Sequence, residues 1–173
     1  MHRLIVLLFA LSLTGIARAQ EDPTNFFRRF AKSLRDADTA AFIAAHPSYS
    51  DDRVARAGTT LPPDTEGPAA HRAGLVEAFR ALRLIGGSRL DSLQAFYIQI
   101  PADWKTSGAV RGTLYLFGSK GNGFQIANLY ARWHKGAWQI LSAFNPFSAA
   151  TPEALAGKPR WPLAAEQSPS LGK

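Results

Sequence analysis

Residues 110–144 read VRGTLYLFGSKGNGFQIANLYARWHKGAWQILSAF, and apolar and polar side chains alternate along most of this stretch. A period of two residues is typical of β-strands that bury one face. Two turn signals interrupt the alternation, the glycine-rich run 118–123 and the pair Lys135-Gly136. The sequence therefore predicts antiparallel strands joined by short turns. The predicted strands are 110–117, 124–133 and 138–144.

The two turns set a register that assigns each side chain to one face of the sheet. The short turn pairs Trp133 with Trp138, and a six-residue loop pairs Phe117 with Phe124. One face is then almost wholly apolar and should pack on the core. The other face, which includes Phe124 and Ile126, mixes aromatic, polar and basic side chains. We predict an association face there, because aromatic residues and arginine are enriched at interface centres. Its members are Arg111, Tyr115, Tyr130 and Arg132.

Helical patterns precede these strands. Asp22-Pro23 predicts the start of a helix over about 23–36, in which apolar residues recur at helical spacing. A short second helix is predicted over 39–45 and a third over 68–84, and a first strand over 90–100. Segregated helices and strands predict an α+β fold, with N-terminal helices packed on a curved antiparallel sheet of about four strands.

The N-terminal stretch has the organisation of a secretory signal peptide. A short basic start precedes the apolar run Leu4–Leu13, and Ala17-Arg18-Ala19 offers the small residues that signal peptidase requires. We expect cleavage before Gln20 and a periplasmic or secreted product. The apolar run is shorter than the roughly 20 residues that span a bilayer, so we expect no membrane-spanning segment. The predicted division is a signal peptide 1–19, a single α+β domain 20–147 and a Pro-rich tail 148–173.

Composition limits the chemistry that is available. The chain has no cysteine, which excludes disulfides and thiolate metal sites. Its formal net charge is +7, but the basic residues are scattered, so no nucleic-acid surface is predicted. The histidines His46, His71 and His134 lack the local spacing of a metal pair, and we expect them at the surface. Asp51-Asp52 is expected to be solvated. No metal and no cofactor are predicted.

A weak catalytic pair comes from the predicted first strand. Asp91 is the one acid within a predicted strand, and alternation places it on the same face as Tyr97. The alternative is that Asp91 is exposed at the start of the strand and that Tyr97 packs.

Three segments are similar to a known superfamily. Residues 34–42 (LRDADTAAF) contain a break between two helices, 67–82 form the next helix, and 130–140 (YARWHKGAWQI) end in Gly-x-Trp-x-Ile. This order resembles the nuclear transport factor two-like superfamily, which includes SnoaL-like and ketosteroid isomerase-like domains. The resemblance implies a curved sheet around helices with a conical pocket between them, in which the isomerases use a carboxylate base. The expected pocket-lining residues are Phe30, Phe79, Trp133, Trp138 and Ser142.

Three functions remain open at this point. The first is an exported non-enzymatic domain that binds a small apolar ligand or a protein partner. The second is an isomerase or hydratase that uses Asp91 with Tyr97, or groups from the 48–68 loop. The third is an envelope structural or assembly component that forms a homodimer through the association face. Against a dimer stands the alternative that the tail or the 48–68 loop covers the aromatic residues within one chain.

Overall fold

A computed structural model describes residues 20–52, 67–141 and 147–164, without the side chain of Lys120. The predicted signal peptide, most of the 48–68 loop and Ser142 lie outside the described residues. The helices are α1 (Pro23–Arg35), α2 (Thr39–Ala44), α3 (Pro68–Gly86), α4 (Trp104–Ser107) and α5 (Pro152–Leu155). The strands are β1 (Ala95–Tyr97), β2 (Ala109–Phe117), β3 (Gly123–His134), β4 (Ala137–Ile140), β5 (Phe147–Ala149) and β6 (Trp161–Pro162).

The first two helices begin where their capping residues predict. The Asp22 carboxylate accepts the N–H of Thr24 at 2.7 Å, and the Asp38 carboxylate accepts the N–H of Ala41 at 2.9 Å. Helix α3 starts at a proline and ends before Gly87, whose φ of +56° suits glycine. The expected α+β class is confirmed.

The sheet is antiparallel and strongly curled, so that it forms a half-barrel. Within the described residues, five strands pair in the order β4-β3-β2-β1-β6, and a sixth, β5, pairs with β3. About four strands were predicted, and the expectation that all helices precede the sheet was too simple, because α4 and α5 follow β1 and β5.

The register of β3 and β4 is confirmed, whereas that of β2 and β3 was wrong by one residue next to the turn and right at the other end of the strands. Trp133 lies opposite Trp138 as predicted. Phe117, however, pairs with Gly123 rather than with Phe124. The loop between these strands is therefore one residue shorter than expected.

A β-bulge in β3 explains which face each side chain takes. Between the pairs Gly112–Leu129 and Leu114–Ile126, β3 contains one residue more than β2. Asn128 lies in this bulge with a φ of +55°. The extra residue reverses the alternation, so Phe124 joins Ile126 on the inner face, each 1% exposed. Their predicted place on the outer face was wrong for this reason.

The inner face of the sheet packs on α1, α2 and α3. Phe30 of α1, Phe42 of α2 and Phe79 of α3 meet there, with ring centroids 5.7 Å apart for the first pair and 4.9 Å for the second. Burial of aromatic side chains supplies much of the favourable free energy of such a core. The buried sheet residues that complete it include Phe96, Ile98, Val110, Leu114, Leu116, Leu129, Ala131, Trp138 and Ile140.

Two segments differ from the sequence prediction. The predicted strand 90–100 is shorter, because Gly87–Ser92 forms a 3₁₀ helix and only Ala95–Tyr97 is a strand. Residues 148–164, interpreted as part of a tail, instead belong to the fold: Leu163 is 1% exposed, and Arg28 Nε donates to the carbonyl of Pro162 at 3.1 Å. No helix in the described parts of the chain is both long and apolar enough to cross a membrane.

Candidate functional site

The C-terminal segment covers one end of the outer sheet face. Leu155 is buried in a small apolar cluster with Ala95 and Phe117. Beyond it, Lys158 Nζ lies 4.5 Å from the ring centroid of Tyr115, and Arg160 Cζ lies 5.0 Å from that of Phe117. The same chain therefore shields part of the predicted association face, as the intrachain alternative expected.

The other end of the outer face is held against residues 47–52. The carbonyl of Asp51 accepts a bond from Arg132 Nη2 at 3.5 Å, and its carboxylate accepts one from Lys135 Nζ at 2.6 Å. Hydrogen bonds from Lys135 and Ser48 lower the pKa of Asp51 to about 2. Arg132 is thus partly buried rather than freely available for association.

Between these two covers lies an open groove, here called the outer-face furrow. It consists of two adjoining cavities of about 650 Å³ and 350 Å³, which share Arg111, Gly112 and Thr113. The larger cavity is also lined by Tyr97, Gln99, Pro101, Tyr115, Ala156, Gly157, Lys158 and Pro159. The smaller cavity is also lined by Asn128, Leu129 and Tyr130.

The strand register brings the rings of the furrow together. Tyr97 of β1 lies opposite Tyr115 of β2, and their ring centroids are 6.5 Å apart. Arg111 of β2 lies opposite Tyr130 of β3, and its Cζ atom is 4.4 Å from the ring centroid. Trp161 of β6 packs edge-on against Tyr97 at 5.2 Å. The wall of the furrow is therefore built on paired strands, which hold its side chains in fixed positions.

The furrow carries positive charge. Arg111 and Lys158 are the charged residues that line it, and none of the described lining residues is acidic. Each cation lies over a tyrosine ring, and such contacts are worth about 0.5–1 kcal/mol at exposed sites. Because the rings hold them in place, the two cations lose less side-chain freedom when an anion binds.

A second cluster joins residues 46–52 to α3. His71 Nδ1 lies 3.7 Å from a carboxylate oxygen of Asp52, and His71 Nε2 lies 3.2 Å from the carbonyl of Pro47. His46 Nδ1 lies 2.7 Å from the carbonyl of Phe42. Burial lowers the pKa of His46 to about 4, although the bond to Phe42 opposes the shift. The prediction that His46 lies at the surface was wrong, as was the prediction that Asp52 is solvated, since each is 8% exposed.

The contacts of this cluster hold residues 47–52 against α3, which is a structural role. Both ring nitrogens of His71 face acceptors within the chain, so the imidazole secures residues 47–52 against α3. Within the described residues, no group of three or more His, Asp or Glu side chains is arranged to hold a metal ion.

The weak catalytic pair is not assembled on one strand. Asp91 lies in the 3₁₀ helix and accepts a bond from Arg83 Nη2 at 2.6 Å, and its side chain is 55% exposed. Tyr97 lies in β1 and lines the furrow. The premise that both alternate along one strand was wrong, because the chain turns between them.

The expected pocket-lining residues lie elsewhere than the furrow. Phe30, Phe79 and Trp138 are buried in the packed core, and Trp133 packs against it from a partly buried position. The Trp138 indole donates to the carbonyl of Glu21 at 2.7 Å, which ties the chain before α1 to β4. Neither of the furrow's cavities is lined by any of these residues.

Sequence reasoning found Arg111, Tyr115 and Tyr130 on the outer face but missed their neighbours in the furrow. Lys158 reaches the site because β6 pairs with β1, and nothing in the local sequence indicates that pairing. The bulge that brings Asn128 to the smaller cavity was also missed, although the apolar positions of β3 shift there from Phe124 and Ile126 to Leu129.

The fold and the furrow define an α+β half-barrel with a cationic, tyrosine-lined groove on its outer face. Comparisons with protein-family models, with curated proteins and with solved structures gave no match. The chemistry of the described residues must therefore carry any functional inference.

Proposed function

We propose that the protein is an exported, non-enzymatic binding domain that holds its ligand or partner in the outer-face furrow. The observation that carries this proposal is a cavity of about 650 Å³ whose described lining has two cations, Arg111 and Lys158, two tyrosines and no acidic side chain. A cavity of this size is in the range of small-molecule sites. The signal-peptide pattern in 1–19 supports export.

Binding accounts for the furrow better than catalysis does. General acid–base chemistry needs a titratable group within hydrogen-bond reach of the substrate. The described lining contains no histidine and no carboxylate, and its titratable side chains are Lys158 and the tyrosines, with the Lys158 ammonium placed over the Tyr115 ring. His71 lies outside the furrow's described lining, and its Nε2 atom lies 3.2 Å from the carbonyl of Pro47. An isomerase or hydratase is therefore the less favoured proposal.

The polar lining favours a polar ligand over the small apolar one that the sequence suggested. The larger cavity is lined by tyrosines, Gln99, Thr113 and two cations, without a leucine, isoleucine, valine or phenylalanine. Kinship with the nuclear transport factor two-like superfamily remains a proposal. The curled sheet packed on helices supports it, whereas the position of the furrow on the outer face differs from the conical inner pocket of that family.

Assembly through the outer face is the third proposal. Lys158 and Arg160 lie over two of the aromatic rings, and Asp51 holds Arg132. These intrachain contacts reduce the surface that a second copy would bury, so a monomeric binding domain is favoured over a homodimer.

The test of the proposed function uses Thr113, which lines both cavities. Thr113→Trp should fill the furrow, and Thr106→Trp on the exposed side of α4 is the matched control. The purified proteins are compared by thermal shift against carboxylic acids, sugar phosphates, uncharged sugars and fatty acids.

We expect at least one charged compound to raise the melting temperature of the wild type and of Thr106→Trp, but not that of Thr113→Trp. If no compound stabilises the wild type, or if Thr113→Trp responds equally, the furrow is not a binding site. Circular dichroism checks that both variants are folded.

A further inference from the structure

We infer that the outer-face furrow binds an acidic oligosaccharide, a short chain of carboxylate-bearing sugar units. This inference rests on the proposed binding function and specifies its ligand class. Three features of the furrow support it: the spacing of its cations, the nature of its uncharged lining and its direction across the sheet.

The cations are spread along the furrow. Arg111 lies where the two cavities join, whereas Lys158 lines only the larger one. Lys158 sits over Tyr115, which is four residues along β2 from Arg111. Four strand residues span about 13 Å, which is longer than one sugar ring. The Arg111 guanidinium lies over Tyr130 of β3, so the two charges are held at different rings. A ligand with negative groups at more than one place along its length, as in a chain of sugar acids, can engage both.

The uncharged lining suits a ligand rich in hydroxyl groups. Gln99, Thr113 and Asn128 contribute amide and hydroxyl groups, and Tyr97 adds a phenol. Such side chains both donate and accept hydrogen bonds. A sugar hydroxyl also does both, whereas a hydrocarbon chain would leave these groups without partners.

The direction of the furrow argues against an acidic peptide. Its lining runs from residues 156–159 across β1 and β2 to β3. Each of these three strands has a paired neighbour on both sides. Where these strands are paired, the furrow offers no free edge for strand addition, and the described lining of the larger cavity has no leucine, isoleucine, valine or phenylalanine to form the apolar pockets that commonly anchor peptide side chains.

The test is isothermal titration of the purified protein with hexagalacturonate, a chain of six galacturonic acid units. Lys158→Gln and Arg111→Gln remove one cation each, and Arg80→Gln on the exposed face of α3 is the matched control. We expect the wild type and Arg80→Gln to bind alike. Each furrow variant should bind at least about tenfold more weakly, because a charge-assisted hydrogen bond is lost. Thermal melts confirm that each variant is folded.

Two matched probes separate the ligand classes. Maltohexaose has the same number of sugar units without charge, and hexaglutamate has the same number of carboxylates without sugar. We expect each to bind at least tenfold more weakly than hexagalacturonate. Equal binding of hexaglutamate would overturn the sugar specificity, and equal binding of maltohexaose would overturn the role of the cations.

Failure of this inference can be distinguished from failure of the proposed function. If hexagalacturonate does not bind, the ligand class is wrong, while a furrow-dependent thermal shift with another compound would keep the proposed function. If hexagalacturonate binds Thr113→Trp as well as it binds the wild type, its site lies elsewhere and this inference fails. The proposed function fails with it if no other compound gives a thermal shift that depends on the furrow.

Discussion

Asn128 determines which side chains of β3 face the core. Its φ of +55° lies in the left-handed region, which asparagine tolerates better than most residues. The bulge there reverses the inside–outside alternation along β3, so Phe124 and Ile126 turn inward. Strict alternation predicted the faces correctly on one side of the bulge and wrongly on the other. The apolar positions of β3 shift here from Phe124 and Ile126 to Leu129 and Ala131, so the sequence does carry a signal of the bulge, which strict alternation passed over.

The first prediction concerns this backbone angle. Asn128→Ala should lower the free energy of unfolding by about 1 kcal/mol, because alanine is disfavoured at positive φ. Asn128→Gly should be neutral or slightly stabilising. Asn122→Ala is the matched control, since Asn122 has a φ of −69°. Urea denaturation measures all three, and equal effects at both asparagines would contradict the account of the bulge.

His46 provides a prediction on pH. Burial lowers its pKa from the ordinary 6.5 to about 4 in the folded chain. The bond to the Phe42 carbonyl and the charge of Asp52 oppose this shift, and the charge of His71 adds to it. Between these values the unfolded chain binds a proton that the folded chain does not. Stability should therefore fall as the pH drops from 6.5 to 4, by about 3 kcal/mol.

The measurement is the free energy of unfolding as a function of pH for the wild type and His46→Gln. A measurement at pH 7.5 first shows that the variant is folded. Between pH 6.5 and 4, its free energy of unfolding should then fall less steeply than that of the wild type. An unchanged slope would mean that His46 is not the group responsible.

At the scale of helices, strands and turns, the features that were predicted correctly are those that depend on residues close together in the sequence. The caps at Asp22 and Asp38 and the turn at Lys135-Gly136 appear as expected, because each depends on neighbouring residues. The strands β5 and β6 were missed, since they have three and two residues and show no period. They form because distant strands pair with them, and composition alone suggested a tail.

The C-terminal segment should therefore contribute strongly to stability, contrary to the sequence interpretation. Leu163 is 1% exposed, and its N–H donates to the carbonyl of Gln94 at 2.9 Å. Leu163→Ala should lower the free energy of unfolding by about 2–5 kcal/mol. Leu84→Ala, at a side chain that is 85% exposed, should change it by less than about 0.5 kcal/mol. Equal effects of the two changes would show that residues 161–164 do not pack on the sheet.

At the scale of the whole molecule, both ends of the outer face are covered by the chain's own segments, and the furrow remains between them. Sequence reasoning found the tyrosines and arginines of this face but assigned them to association. It could not place Lys158 over Tyr115, because that contact depends on the long-range pairing of β6 with β1.

Because the chain's own segments cover both ends of the outer face, we predict that the protein is a monomer at micromolar concentration. Sedimentation velocity should give one sedimentation coefficient that does not change with protein concentration. Tyr130→Glu should leave that coefficient unchanged. A dimer in the wild type that Tyr130→Glu dissociates would restore the association face as an interface.

The most direct test of the central claim is to map the bound ligand by nuclear magnetic resonance. Backbone amide shifts of the isotope-labelled protein are recorded while hexagalacturonate is added. The account predicts that the largest changes fall on residues 111–113, 128–130 and 156–158, on either side of the furrow. Changes centred on His46, Asp52 and His71, with the furrow residues unmoved, would contradict it.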